Sequence, residues 1–364
     1  MAVKRVVSSV LQRQVRYITA VPPTAATGLL ADVYGQVAGE MRVVIPPILA
    51  QSPSPASLAA YWMLTREALH VAGRVDRARK EVVAAAVSVA NTCPYCADMH
   101  SMSLYDLSCE QDAEAIVADR AGEVGDPGLR AVAGWARVAH RPDEPVVRQP
   151  PFTALERPEL VGVAVTFHYL TRVVNVFLPG HLVPRGLGPG NRRRFKHGVS
   201  RFLAPLLRKT HAPGRTLALL RDAELPQDAA WAQGAPVLAT AVARSFAALD
   251  AVGLRALSPA VRHLVRERLT AWRGEDPGLS REWCERLIAD LPEADRAAGR
   301  LALLTVFASY QVDEGVVAEF RARQPGDAAL VEVVTWASYA AARQVGARLV
   351  DAGQADAGNS ARSE

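Results

Sequence analysis

Apolar residues recur at three- and four-residue spacing through most of this 364-residue chain. That spacing places them on one face of an α-helix, whereas a half-buried strand would alternate from residue to residue. Asn-Gly dipeptides, which favour tight hairpins, are absent. The sequence therefore predicts an all-α fold. The helical segments are Leu58–Val71, Arg77–Ala90, Leu129–Ala139, Leu160–Phe177, Pro236–Val252, Ala260–Trp272, Arg296–Ser309 and Ala328–Val350.

The chain also contains an internal repeat. Residues 140–169 align with residues 310–339. An earlier block repeats at a slightly larger offset, so the second copy has lost a few residues between the two blocks. The repeat predicts two tandem helical domains. The matched pairs are Asp143 with Asp313, Glu144 with Glu314, Leu160 with Leu330, Val161 with Val331, Val163 with Val333, Tyr169 with Tyr339, Leu58 with Leu238 and Gly73 with Gly253.

Five regions follow from the repeat. They are an N-terminal extension (1–27), a first copy (28–185), a basic connector rich in Pro and Gly (186–215), a second copy (216–350) and a disordered tail (351–364).

The connector lies in a strongly basic stretch. No Asp or Glu occurs from Leu160 to Arg221, against eleven Lys or Arg residues. Nucleic acid or an anionic surface would suit such a stretch, but charge runs are usually solvated faces. We expect a solvated connector that pairs with acidic patches elsewhere, and no nucleic-acid partner.

Targeting and redox signals are weak. No uninterrupted apolar run is long enough to span a membrane, so we expect no membrane partner. The apolar stretch at the N-terminus ends before Gln12 and is too short for a signal peptide. Four cysteines in a chain of this length exclude a disulfide scaffold. We expect a cytoplasmic protein whose thiols are reduced at rest.

The segment from Asn91 to His100 concentrates chemically reactive side chains. Thr92 suits a helix N-cap and Pro94 a first helical turn. Cys93, Cys96 and His100 then fall at i, i+3 and i+7, on one stripe of a helix. Thiols near a helix start are stabilised as thiolates, and a histidine one turn away can accept a proton. The pattern indicates a thiol redox centre.

Glu81 lies in the apolar segment before this motif. A straight helix would hold it about 18 Å from Cys93. We expect the chain to fold back at Asn91-Thr92 and bring the carboxylate towards the thiols. Its apolar surroundings predict partial burial and a raised pKa, which would suit a proton relay.

Glu81, eleven intervening residues, Cys93-x-x-Cys96 and then His100 resemble the signature of the alkyl hydroperoxidase D (AhpD)-like proteins. These proteins belong to the carboxymuconolactone decarboxylase superfamily. The order of the flanking segments is also similar, from Gly73 before the glutamate helix to the later Phe167–Arg172 stretch. The full motif covers residues 28–185, and the repeat extends the resemblance weakly over 216–350.

The resemblance implies an all-helical fold and peroxidase-type disulfide chemistry. Cys96 would attack the peroxide, Cys93 would close the disulfide, and Glu81 and His100 would relay protons. One departure is Tyr95, where well-known members often have His. It also implies a hydroperoxide substrate, an external reductant (a dithiol protein, a lipoamide-type group or a low-molecular-weight thiol) and a homo-oligomer. No cofactor is expected beyond the Cys93–Cys96 disulfide, and no metal.

The second copy lacks the motif. His263 falls near the position of Glu81, and Cys284 is the cysteine of that half. We therefore expect a degenerate structural copy, and we expect Cys109 and Cys284 to be unreactive. His140 and His168 are expected to be packed or capping residues, with some chance of lining a pocket.

Several alternatives stay open at this stage. A glutaredoxin-like protein would need a βαβ frame. A zinc site would use Cys93, Cys96 and His100 with Glu81 or Asp98. The two thiols would otherwise be inert core residues. A decarboxylase-like lyase acting on a small lactone, or a non-catalytic oligomerising protein, would use the same fold without the cysteine pair.

Overall fold

The computed structural model describes residues 14–184 and 186–360, with side chains described as far as Val350. Within these ranges the chain forms helices and loops, and the one β interaction is an isolated bridge between Val71 and His211. The predicted all-α fold is confirmed.

The helices of the first half lie before residue 208. They are α1 (Gly28–Met41), α2 (Pro46–Leu49), α3 (Pro55–Thr65), α4 (Arg77–Ala90), α5 (Pro94–Leu107), α6 (Glu110–Val117), α7 (Pro127–Val138), α8 (Pro145–Arg148), α9 (Arg157–Phe177) and α10 (Pro189–Leu207).

The helices of the second half follow. They are α11 (Pro236–Ala256), α12 (Pro259–Ala271), α13 (Glu282–Ile288), α14 (Glu293–Ala308), α15 (Glu314–Arg323) and α16 (Asp327–Ser360). Short 3₁₀ turns occur at Pro23–Ala25, Ala121–Glu123, Leu217–Leu219, Gln227–Ala232 and Ser309–Gln311.

The predicted helical segments agree with these bounds to within a few residues, except in two places. The segment Leu58–Val71 is divided between α3 and a π-helical turn at Arg66–His70. The last helix continues to Ser360. The tail predicted to be disordered is therefore helical over residues 351–360, and its last four residues lie outside the described part of the chain, as do residues 1–13 of the N-terminal extension.

The predicted connector is largely a helix. Pro189 occupies the first turn of α10, where its missing N–H is not needed, and Pro205 is tolerated near the other end. The helix buries Lys196 and Ser200 towards the fold and leaves most of its arginines exposed. The expected pairing with acidic groups elsewhere is present, because α10 lies against α5 and bonds carboxylates of α5 and α6.

The two halves share one hydrophobic core. The long helices α9 and α16 lie along each other in the most extensive interhelical contact, and α3 packs on α11 in the same way. Polar bonds cross this interface. The Ser57 and Thr335 hydroxyls are 2.9 Å apart, and Ser245 Oγ donates to the Ala60 carbonyl at 3.2 Å. The helix order of the halves is compatible with the sequence repeat, which stays a prediction.

Two of the helices, α9 and α11, are long and apolar enough to cross a membrane by length and composition. The most apolar stretch of α9 is 94% buried inside the fold, and that of α11 is 50% buried. Core helices commonly have this character, so their apolarity is explained by packing between the halves.

Candidate active site

Helices α4 and α5 form an antiparallel pair joined by a three-residue turn. The Asp76 carboxylate caps α4 by accepting from the Arg79 N–H at 2.9 Å. The chain reverses at Asn91-Thr92, as expected, and Thr92 has a left-handed φ of 51°. Cys93, not Thr92, is the N-cap residue of α5. Its N–H donates to the Ser88 carbonyl at 2.9 Å, which holds the turn closed.

The turn is also fixed to α9 by Asn91, a contact that the sequence analysis did not foresee. The Asn91 side-chain amide donates to Thr171 Oγ1 at 2.9 Å and lies 3.0 Å from His168 Nδ1. The Asn91 carbonyl accepts from the Asn175 amide at 3.1 Å. These bonds satisfy backbone and side-chain groups at the end of α4 and fix the start of α5.

Glu81 lies on α4 and is 1% exposed. One carboxylate oxygen is 2.6 Å from His100 Nδ1, and the other accepts from Arg77 Nε at 2.7 Å. The fold-back therefore joins Glu81 to His100, whereas the sequence predicted only that it would bring the carboxylate towards the thiols.

The predicted pKa of Glu81 was wrong in direction. Burial alone would raise the pKa, but Arg77 and His100 outweigh burial and lower it to about 2. Glu81 is therefore a carboxylate at neutral pH. The spacing of Arg77 and Glu81, four residues apart on a helix, was the signal for this ion pair.

His100 lies one turn beyond Cys96 on α5, so the two side chains share a helix face. Its ring packs edge-on against Phe167 of α9, with the ring centroids 4.5 Å apart. Because Nδ1 faces the Glu81 carboxylate, the imidazole is fixed at one nitrogen. The other nitrogen is then the one that can exchange a proton with a reacting group.

Both cysteines of the motif are free thiols and are buried. Burial raises the pKa of the Cys96 thiol well above its ordinary value, and the hydrogen bond and charge of Cys93 add to this. Tyr95, also buried, has its pKa raised by the same desolvation. In this geometry Cys96 rests as a neutral thiol, and its ionisation needs a base.

A cavity of about 610 Å³ opens in front of Cys93. Cys96, Glu81 and His100 are not among the residues that line it. Its outer wall is α10. Arg193 makes two bonds to the Glu110 carboxylate, at 2.8 and 2.7 Å, and Lys196 donates to Glu114 at 2.6 Å. The sequence analysis missed this wall because it treated the basic stretch as a connector.

The chain is similar to known proteins in two respects. Residues 56–138, which include Glu81, Cys93, Cys96 and His100, match the model of the carboxymuconolactone decarboxylase family. The chain belongs to this family. The chain is 37% identical over 332 residues to "Alkyl hydroperoxide reductase Rv2159c" of Mycobacterium tuberculosis (strain ATCC 25618 / H37Rv). The aligned region covers 91% of this chain and 94% of that protein. The match therefore extends over both halves of the molecule, and the AhpD-like resemblance is confirmed.

The fold and the side-chain geometry bear on two of the alternatives. Glutaredoxin-like proteins need a sheet, and the described residues contain only the isolated bridge. The zinc alternative has no support, because no group of three or more His, Cys, Asp or Glu side chains in the described ranges is arranged to hold a metal. Of the two fourth ligands considered, Asp98 accepts from the Val183 N–H at 3.4 Å, and Glu81 bonds Arg77 and lies against His100.

The remaining predicted residues lie apart from the site. Cys284 is buried in the second half, whereas Cys109 is exposed and caps α6 through its sulfur. His263 is exposed on α12. His168 is fully buried behind Asn91, and His140 lines a separate cavity between the halves.

Proposed function

We propose that this AhpD-type enzyme is a thiol peroxidase that reduces hydroperoxides through the Cys93–Cys96 pair. The observation that carries the proposal is the bond between Glu81 and His100, one helical turn from a cysteine whose ionisation needs a base. The name of the Mycobacterium tuberculosis relative, alkyl hydroperoxide reductase, supports the same reaction.

In the proposed reaction the Cys96 thiolate attacks the terminal oxygen of the hydroperoxide, and the O–O bond breaks. The alkoxide takes a proton and leaves as an alcohol, and Cys96 becomes a sulfenic acid. The Cys93 thiolate then attacks the Cys96 sulfur. Hydroxide leaves, takes the thiol proton and becomes water, and a disulfide closes. A dithiol reductant returns the disulfide to two thiols and is itself oxidised.

His100 is the proton carrier in this scheme. It accepts the Cys96 proton as the thiolate forms and returns it to the leaving alkoxide. Glu81, held ionised by Arg77, does not itself exchange protons. It orients the imidazole and stabilises the imidazolium that forms, so it is a positioning residue and not the second relay that the sequence suggested.

Because Cys93 lines the cavity and Cys96 does not, we infer that the two cysteines react with different partners. Cys93 lines the cavity in front of α5, so the reductant meets Cys93 first and releases Cys96 as the leaving thiol. A dithiol protein, a lipoamide-type group or a low-molecular-weight thiol fits this role. We further propose that the protein is cytoplasmic and, as the resemblance implies, a homo-oligomer.

The family name favours a second candidate, a decarboxylase-like lyase acting on a small lactone. That reaction needs no cysteine pair, so replacing either cysteine would leave it intact. A non-catalytic, oligomerising member would show neither activity.

The test measures consumption of an alkyl hydroperoxide with a panel of reductants, including dihydrolipoamide. Cys96→Ser is expected to abolish consumption, because the attacking sulfur is gone. Cys93→Ser is expected to consume about one equivalent and then stop with a sulfenic acid on Cys96. Cys284→Ser is the matched control and should react as the wild type does. Sulfenic acid found on Cys93 in Cys96→Ser would reverse the roles, and full turnover in both variants would rule out the redox mechanism.

A further inference from the structure

A second cavity lies between the two halves, behind the α4–α5 turn. Its volume is about 150 Å³. Asn91 and Thr92 contribute from the turn, Arg172 from α9, and Ser309 and Tyr310 from the end of α14 in the second half. The cavity is separate from the one in front of Cys93, and the peroxidase mechanism does not use it.

Arg172 carries a buried positive charge in this cavity. The residue is 5% exposed, and it makes no ion pair with any acid in the described part of the chain. Nε donates to the Val306 carbonyl at 2.9 Å, and one terminal nitrogen donates to the His168 carbonyl at 2.6 Å. That nitrogen also lies 3.4 Å from His168 Nδ1. The other terminal nitrogen, Nη2, bonds no described residue, and it is not fully enclosed by protein, so it borders the cavity. A buried guanidinium left unpaired is costly, so such groups are normally neutralised.

The charged side chains nearby do not supply that neutralisation. Burial lowers the pKa of Arg172 to about 10, and no carboxylate raises it back. The acids that line the cavity, Glu275 and Asp276, are exposed. They accept bonds from the Arg273 N–H and from the Tyr310 hydroxyl and Gly278 N–H, respectively. The other lining cations are engaged elsewhere: Arg137 makes two bonds to Asp119, and Arg141 lies 3.8 Å from Glu144.

Two further polar groups face the same space without a full set of partners. Ser309 Oγ accepts from the Asn175 amide at 3.0 Å, and its hydroxyl hydrogen has no acceptor in the described ranges. His140 is 6% exposed, lines the cavity, and has no hydrogen-bond partner at Nδ1. Buried polar atoms are seldom left unbonded. The Ser309 hydroxyl hydrogen points to an occupant that accepts hydrogen bonds, whereas the neutral His140 ring can offer Nδ1 in either role.

We propose that the cavity between the halves binds a small oxyanion, a carboxylate or an inorganic anion of phosphate size, on Arg172 and Ser309. The anion neutralises the guanidinium and accepts from Nη2 and from the Ser309 hydroxyl. The volume corresponds to about five water molecules, which admits such an anion with a few waters and excludes a nucleotide or a lipid. Because both halves contribute donors, the anion joins the catalytic half to the second half.

The test uses the full-length protein and titrates inorganic phosphate, sulfate and acetate by calorimetry, at constant ionic strength in chloride. We expect saturable binding at one site per chain and a rise in the thermal unfolding midpoint. The phosphate and acetate arms distinguish an inorganic anion from a carboxylate. Absence of saturable binding of all three anions would overturn the proposal.

Variants locate the site. Arg172→Met is expected to weaken binding by about 10- to 100-fold and to remove the anion-dependent shift, because a charged hydrogen-bond donor is lost. Arg348→Met is the matched control: Arg348 also donates to backbone carbonyls, at Leu269 and Thr270, but lies outside the cavity. It should bind as the wild type does. Unchanged binding by Arg172→Met would overturn the assignment.

A milder change covers the case in which Arg172→Met does not fold. Ser309→Ala keeps the charge and removes one donor, so it should weaken binding by about 3- to 10-fold. Unchanged affinity in this variant would overturn the proposed donor set.

Discussion

The sequence repeat would place helices α4 and α12 in equivalent positions, and the two helices begin alike, yet they are buried very differently. A side-chain oxygen caps each one, from Asp76 in α4 and from Ser258 in α12. Helix α4 is then buried on all sides from Lys80 to Ser88, whereas α12 buries only one narrow stripe. The difference teaches that the proposed chemistry depends on coverage, because a helix covered on all sides holds the Glu81 carboxylate away from solvent, which an exposed helix cannot do.

The segments that follow the two helices explain the difference. A three-residue turn returns the chain along α4 as α5, and α7 and α9 cover its other sides. After α12 a loop of ten residues leads to α13, which is only seven residues long. His263, which the repeat alignment would place near the position of Glu81, faces solvent.

The largest effect is expected from removing the second half. A chain ending near Arg208 would expose the face of α9 that packs on α16, where Leu330, Val331 and Val333 are fully buried. We expect aggregation or loss of helicity, measured by circular dichroism and light scattering. A soluble, folded and active fragment would show that the first half needs no partner.

The next largest effect is expected at Glu81, which is compared with an exposed glutamate on α12. Glu81→Gln should lower peroxidase turnover by about 10²- to 10⁴-fold without unfolding, because the amide cannot hold the imidazolium by charge. Glu267→Gln, on the exposed side of α12, is the control and should react normally. Steady-state rates over a range of pH test both, and an unchanged rate in Glu81→Gln would leave Glu81 a purely structural carboxylate.

A smaller effect concerns the paired glycines Gly73 and Gly253. A Cβ at Gly253 would lie 2.1 Å from the Trp336 ring, and a Cβ at Gly73 would lie 2.2 Å from the Glu159 carboxylate. Each glycine therefore packs against the long helix of its own half. Gly253→Ala should lower the free energy of unfolding by about 1–3 kcal/mol, because the indole has no free space to move into.

Denaturant unfolding measures this loss, and Gly35→Ala is the control. Gly35 lies in α1 with open space around it, so alanine there should stabilise by about 0.5–1 kcal/mol. An equal gain at Gly253 would contradict the close packing against Trp336.

The smallest effect is expected in the acid range. The folded pKa of Glu81 is lowered to about 2, from an ordinary value of 4.5. A depressed carboxyl pKa stabilises the fold above the unfolded value, and this contribution is lost as the pH falls towards the folded value. The difference in unfolding free energy between wild type and Glu81→Gln should therefore shrink between pH 4.5 and 2, moving the acid-unfolding midpoint by roughly half a pH unit. A difference that grows with acidity would contradict the lowered pKa.

Sequence periodicity was sufficient for the helices and for the fold-back. Arg77–Ala90 was predicted with its observed bounds, and the reversal at Asn91-Thr92 followed from the distance that a straight helix would impose. These features depend on local spacing, which a single sequence contains.

Features that depend on contacts between residues far apart in the sequence could not be predicted. The direction of the Glu81 pKa required knowing that His100 and Arg77 both reach the carboxylate. The bonds from Asn91 to α9 and from Arg172 to the Val306 carbonyl join residues about eighty or more positions apart. The basic stretch was taken as a connector because its prolines and glycines obscured a helix that begins at one proline and tolerates another.

The attachment of α10 has a consequence for how the thiols respond to salt. Its arginine and lysine contacts to Glu110 and Glu114 lie close to solvent, and surface charge pairs weaken as ionic strength rises. The Asn91 bonds on the opposite side of the motif connect neutral groups and are insensitive to screening. Local opening of the fold at high salt would therefore occur on one side only, at α10. Amide hydrogen exchange would then accelerate in α10 before α4 or α5, and Cys93 would become accessible to thiol reagents ahead of Cys96.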